Sequence, residues 1–248
     1  MKSMRVFVLM VPLAIFAAAC APTETRTAAP ASVPAPEPVR EVMTAEAQQA
    51  LTPESVLADL KEGNRRFVEG RLTDRDFRAQ AAATASGQYP KAVVLSCLDS
   101  RVPTEIIFDQ GIGDIFVGRV AGNVEDTTML GSMEFATKAA GSKLIVVLGH
   151  TACGAIKGAA DGVEMGNLTA LLDNFDKALE QARGRTEGPY DSSNAAYVGA
   201  AIEESVRQTM ADILAESPVI AELVESGAVG IAGGVYDLAS GRVTWLDS

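Results

Sequence analysis

The chain has 248 residues, 48% of them hydrophobic, which is enough for one domain of about 200 residues with a sizeable core. Acidic residues outnumber basic ones by 32 to 21, for a formal net charge of −11, and no cluster of Lys and Arg stands out. Nucleic acid is therefore not expected as a partner, since phosphate binding needs concentrated positive charge. The acid excess reads as a solvated surface.

At the start of the chain, Lys2 and Arg5 precede the uncharged apolar run Val6–Ala19, and Cys20 follows. Residues 1–19 read as a signal peptide, with a charged segment, an apolar segment and small residues at the cleavage point. The run falls short of the ~20 apolar residues that a membrane-spanning helix needs. The AAAC ending at Cys20 resembles a bacterial lipobox, which implies that Cys20 is acylated as the first residue of the mature chain. Ala17 stands where lipoboxes favour Leu. Pro22, in place of an Asp retention signal, implies the outer membrane in a Gram-negative cell, with the domain on the periplasmic side. Residues 20–50 are expected to be the lipidated end and its tether. Their Pro, Ala, Thr and Ser content cannot bury enough surface to offset the entropy of ordering. The folded domain is expected over 51–248.

From Thr52 the chain alternates between helical and strand patterns. Thr52 is suited to cap a helix and Pro53 to start it, with Val56, Leu57, Leu60 and Phe67 at helical spacing. KAVVLSC (91–97) is a short continuous apolar run, as a strand buried on both faces requires. DIFVGRVAG (114–122) and SKLIVVLGH (142–150) are further strands, with a helix over 128–141 between them. Helices follow over 167–182, 195–214 and 218–227, and the tail 228–246 reads as two strands around a Ser-Gly turn. This order predicts an α/β fold: a mainly parallel sheet of four strands plus an antiparallel edge strand, flanked by helices.

Cys97 closes one of these strands and His150 closes another, and carboxyl ends of parallel strands are where α/β sheets form ligand sites. Cys97, His150 and Cys153 use the single histidine and every cysteine outside the leader. Two thiolates and an imidazole, with a replaceable fourth position that Asp99 can fill, are a zinc pattern of the catalytic kind. Three other readings stay open: a Cys97–Cys153 disulfide in an oxidising compartment, buried cysteines with a satisfied core histidine, and Cys–His nucleophilic catalysis. Only zinc gives all three residues a role. Asp99 and Arg101 add chemistry, because a protonated Arg can fork onto the carboxylate and keep it ionised.

CLDSRVPTEIIFDQGIGDIFVGRVAGN and LIVVLGHTACGAIKG resemble the β-class carbonic anhydrases, and the likeness runs from GNRRFVEG to the terminal VYDLASGRVTWL. The resemblance implies reversible hydration of CO2 to bicarbonate at one zinc per subunit, with Cys97, His150 and Cys153 as ligands. It makes Asp99 and Arg101 the family's Asp–Arg pair, with Asp99 either a fourth ligand or held away by Arg101. It also implies substrate contacts from Gln88, Phe116, Phe135 and the Gly154 N–H. A homodimer or homotetramer is implied too, in which Gln88 and Phe135 face a neighbour's zinc. At Arg119–Asn123 the sequence reads RVAGN where many relatives read R-N-x-A-N. A hydrolase of carbonyl sulfide or carbon disulfide and a non-catalytic zinc-binding lipoprotein are the alternatives.

Overall fold

The structure, a computed structural model, describes residues 37–247. Cys20, the leader and the first part of the expected tether lie outside the described residues. The packed region begins upstream of the expected boundary at Leu51. Val39 bridges Arg75, and a short helix, α1 (Ala45–Gln49), follows. Val39 exchanges backbone bonds with Asp74 (2.8 Å) and Asp76 (2.9 Å), and the buried Gln48 amide donates to the carbonyls of Pro90 (2.8 Å) and Ala140 (2.9 Å). The alanine-rich composition around it carries no apolar stripe to announce this packing.

Helix α2 (Pro53–Val68) starts as expected, with Thr52 and Ser55 capping each other and Pro53 in the first turn. α3 (Phe77–Thr84) follows, then strand β1 (Ala92–Ser96), the single turn α4 (Thr104–Ile107) and strand β2 (Ile115–Arg119). Helix α5 (Thr127–Glu134) runs on into a π turn over Phe135–Ala139 and leads to β3 (Leu144–His150). Then come α6 (Gly154–Ala160), α7 (Asn167–Leu172), α8 (Asp176–Arg183), the long α9 (Ala195–Glu216) and α10 (Pro218–Glu225). Strands β4 (Gly230–Tyr236) and β5 (Val243–Trp245) close the chain. Among the described residues, no helix is long and apolar enough to cross a membrane.

The sheet order is β2-β1-β3-β4-β5, parallel except for the β4–β5 pair, as the sequence predicts. Every residue of β1 and β3 is buried, and alternate residues go to opposite layers. Val94, Val146 and Leu148 pack with Val56, Leu60 and Phe108 on one face. Val93, Leu95, Ile145 and Val147 pack with Met133, Val206, Ile213 and Ile220 on the other. With a core on both faces, each of these side chains contributes about 1.5–3 kcal/mol, which is why the two runs are continuous rather than alternating.

Candidate metal centre

From β1 the chain crosses to β2 on one side, whereas β3 lies on β1's other side. The connections diverge there, and the carboxyl ends of β1 and β3 border the crevice that such a switch in direction leaves. Ser96 is in register with Leu148, so Cys97 leaves β1 beside the last residues of β3, where His150 stands. The chain then turns through Ala152, in a left-handed conformation (φ 56°), and brings Cys153 to the start of α6. The two sulfurs and a ring nitrogen of His150 all lie within 4.8 Å of one another, and all three residues are buried. Both cysteines are free, so the disulfide reading does not hold.

The cradle fits a metal ion. His150 is wholly buried, and its Nε2 has no hydrogen-bond partner, a costly state for a polar atom that only core packing surrounds. The opposite ring nitrogen, Nδ1, lies 3.0 Å from the Thr151 carbonyl oxygen. The Cys97 thiol is brought down to about 4, chiefly by the hydrogen bond with Cys153, with smaller help from His150 and the Gly122 N–H against the opposing effect of burial. Cys153, through that same bond and its burial, is pushed above the usual thiol range. A bound cation would favour both residues as thiolates.

Asp99 does not join this cluster. Its two oxygens take the Arg101 backbone N–H (2.9 Å), Nε (2.9 Å) and Nη2 (2.7 Å), with Oδ2 3.9 Å from His150 Nε2. The hydrogen bonds from Arg101 hold the Asp99 carboxyl well below the usual carboxylate range. Two further residues complete the surround. Arg119, at the end of β2, donates from Nε to the Cys97 carbonyl (3.1 Å) and from Nη2 to the Asp99 carbonyl (2.5 Å). The Gly122 N–H points at Cys97 Sγ (3.3 Å). Only glycine fits there: φ is +72°, and an added Cβ would stand 2.2 Å from the Phe175 ring. In the sequence these two residues are visible only as the departure RVAGN. The signal that could have found them is the adjacency of β1 and β2, which sets Arg119 opposite Ser96.

The remaining predicted residues divide. Gly154 is exposed as the first residue of α6, directly after Cys153. Phe116 and Phe135 come together edge to face, with centroids 6.1 Å apart. They line a groove of about 450 Å³ with Val93, Gly118 and Met129 along the β2 edge of the sheet. Val93 lies four strand positions before Cys97, some ~13 Å at ~3.3 Å per residue, so this groove is not the metal crevice of the same chain. Gln88 is exposed and precedes β1, at the strand end opposite to Cys97. Within one chain, then, neither Gln88 nor the two phenylalanines reach the cluster.

A family model described as carbonic anhydrase matches residues 92–243. Carbonic anhydrase 2 of Mycobacterium tuberculosis is 40% identical over 195 residues, covering 76% of this chain and 90% of that protein. The carbonic anhydrase of Mycolicibacterium smegmatis is 37% identical over 190 residues, covering 74% and 88%. Among solved structures, the β-carbonic anhydrase CafA of Aspergillus fumigatus superposes with a TM-score of 0.62 at 25% identity, covering 78% of this chain and 90% of that one. A tetrameric β-carbonic anhydrase of Sordaria macrospora gives 0.60 at 27% identity, covering 67% and 85%. With the cysteines and histidine gathered at the sheet's switch point and these likenesses spanning the described domain, the chain belongs to the carbonic anhydrase family, in its β class.

Proposed function

We propose that this protein is a zinc-dependent carbonate dehydratase that interconverts CO2 and bicarbonate at the Cys97–His150–Cys153 centre. The observation that carries the reading is the convergence of those three donors within 4.8 Å, beside a carboxylate kept ionised by Arg101. Two sulfurs and one nitrogen suit zinc, which when bound would make water acidic enough to attack CO2. Asp99 accepts the hydrogen bond of the attacking water and orients it. Arg101 keeps that carboxylate charged and turned away from the ligand set. The Gly154 N–H, which as the first of its helix has no partner within the helix, donates to an oxygen of bicarbonate.

The protein acts as a homo-oligomer, in which Gln88, Phe116 and Phe135 serve the crevice of a neighbouring copy. The exposure of Phe135 (59%) and Gln88 on a single chain supports this, as does the tetrameric assembly of the Sordaria macrospora relative. Residues 1–19 export the chain, and acylated Cys20 anchors it on the periplasmic side of the cell envelope.

Stopped-flow CO2 hydration with bound-metal analysis on residues 21–248, beside Cys153→Ser, tests the reading. The parent is expected to hold one zinc per chain and to turn over, whereas Cys153→Ser loses both. Full activity in the variant would sink the assignment.

A further inference from the structure

One His150 ring nitrogen, Nδ1, meets the carbonyl oxygen of Thr151 at 3.0 Å. A carbonyl can only accept, so the neutral ring carries its proton on Nδ1. The buried, partnerless Nε2 then keeps its lone pair free, as a ligating nitrogen requires. What holds that carbonyl in place is the rest of Thr151. Its N–H donates to the Tyr236 carbonyl (2.9 Å), extending the β3–β4 ladder by one bond. Its hydroxyl accepts from the Leu238 N–H (3.0 Å) and therefore turns its own proton toward Asp237 Oδ2 (3.4 Å). Both directions are forced, since an amide N–H only donates and a carboxylate only accepts. Asp237 is fixed in turn by the Ser240 N–H (2.7 Å) and hydroxyl (2.6 Å).

We propose that Thr151 is a positioning residue for the metal centre: its carbonyl sets the His150 tautomer, and its hydroxyl locks that carbonyl to the turn between β4 and β5. The inference rests on the reading of Cys97, His150 and Cys153 as a metal site. It gives the β4–β5 turn, remote from the ligands in sequence, a part in presenting one of them. Partners that orient a ligating histidine in this way typically change metal affinity by about 10–100-fold when lost.

The single histidine makes the tautomer directly readable, because a full-length chain labelled with 15N-histidine gives one imidazole. In the metal-free parent at mildly alkaline pH, that imidazole is expected with its proton on Nδ1 and a bare Nε2. Thr151→Val keeps the branched shape but removes the hydroxyl. It should give a mixture of tautomers and raise the zinc dissociation constant, measured against a chromophoric chelator, by about 10–100-fold. Thr151→Ser restores the hydroxyl and should stay within about threefold of the parent. Asp237→Ala removes the acceptor at the far end of the relay, and should move both readouts the same way by a smaller factor.

A parent ring protonated on Nε2 would overturn the proposal. So would a Thr151→Val or Asp237→Ala protein with the parent's spectrum and affinity, or a serine variant as weak as the valine one. A parent that binds no zinc would instead refute the functional reading, while the metal-free spectra would still decide the role of Thr151.

Discussion

Asp99 receives three N–H bonds from a residue two places along the chain, and that short loop is the most economical device in the site. Arg101 is largely exposed, so its value lies in the protonation and direction of Asp99 rather than in stability. Arg101→Gln removes the main cause of the lowered Asp99 pKa, and the carboxyl should return toward its ordinary value of about 4. The acid limb of the kcat/KM profile is then expected to move upward, and at neutral pH, where the carboxyl stays ionised, losing the Arg101 fork costs its orientation and about 100-fold in rate. A stopped-flow pH series that superimposes on the parent's would remove Asp99 from the mechanism. At this scale the convergence of Cys97, His150 and Cys153 was legible because Cys and His are scarce and sit at strand ends. Gly122 and Arg119 were not, since their roles depend on a neighbouring strand and a positive φ. Gln88, Phe116 and Phe135 stand out in the sequence only by position, and their distance from the crevice is set by a topology that no local pattern reveals.

Among the elements, β1 and β3 were readable because burial on both faces forces unbroken apolar runs. Helices α3, α4 and α6 were not read from the sequence. α4 is a single turn, and α6 opens on Cys153 with no side-chain cap and carries glycine inside it. The segment before Leu51 hid its packing in polar contacts, the backbone bonds of Val39 and the amide of Gln48. Gln48→Ala leaves the Ala140 carbonyl without that donor and is expected to destabilise by about 1–3 kcal/mol in urea unfolding. A second polar anchor joins α2 and the loop after it to the end of α4. Asp109 is buried, with Arg66 Nε at 2.5 Å and Arg75 on its other oxygen. Burial alone would raise its carboxyl, but the hydrogen bonds from Arg66, Arg75 and Thr73 outweigh it and hold the group below its ordinary value. A depressed acid stabilises the fold above its unfolded pKa near ~3.9, and loses that contribution as pH falls through its folded value. Asp109→Asn should therefore cost about 3 kcal/mol at pH 7, with the gap to the parent narrowing below about pH 4. A gap that stays constant on acidification would contradict this account.

Taken whole, the molecule has one histidine, and the centre uses it. No second imidazole exists to carry protons to solvent, so release runs through Asp99, water or external buffer. Turnover is expected to rise with buffer concentration at fixed pH and ionic strength, and a flat response would require another relay. The adjacency of β1 and β3 has a further consequence, in the order of folding events. Cys97 and His150 come from neighbouring strands that are separated in sequence by β2 and α5, so the donors meet only after that long crossover has closed and the two strands have paired. An ion arriving earlier would find only the local His150–Cys153 pair, without Cys97. Metal capture at the proposed centre would thus follow assembly of the sheet and act as a latch on the finished fold, slowing its opening rather than hastening its formation. By mass action, free metal at a hundred times its dissociation constant would add about 2.7 kcal/mol to that latch.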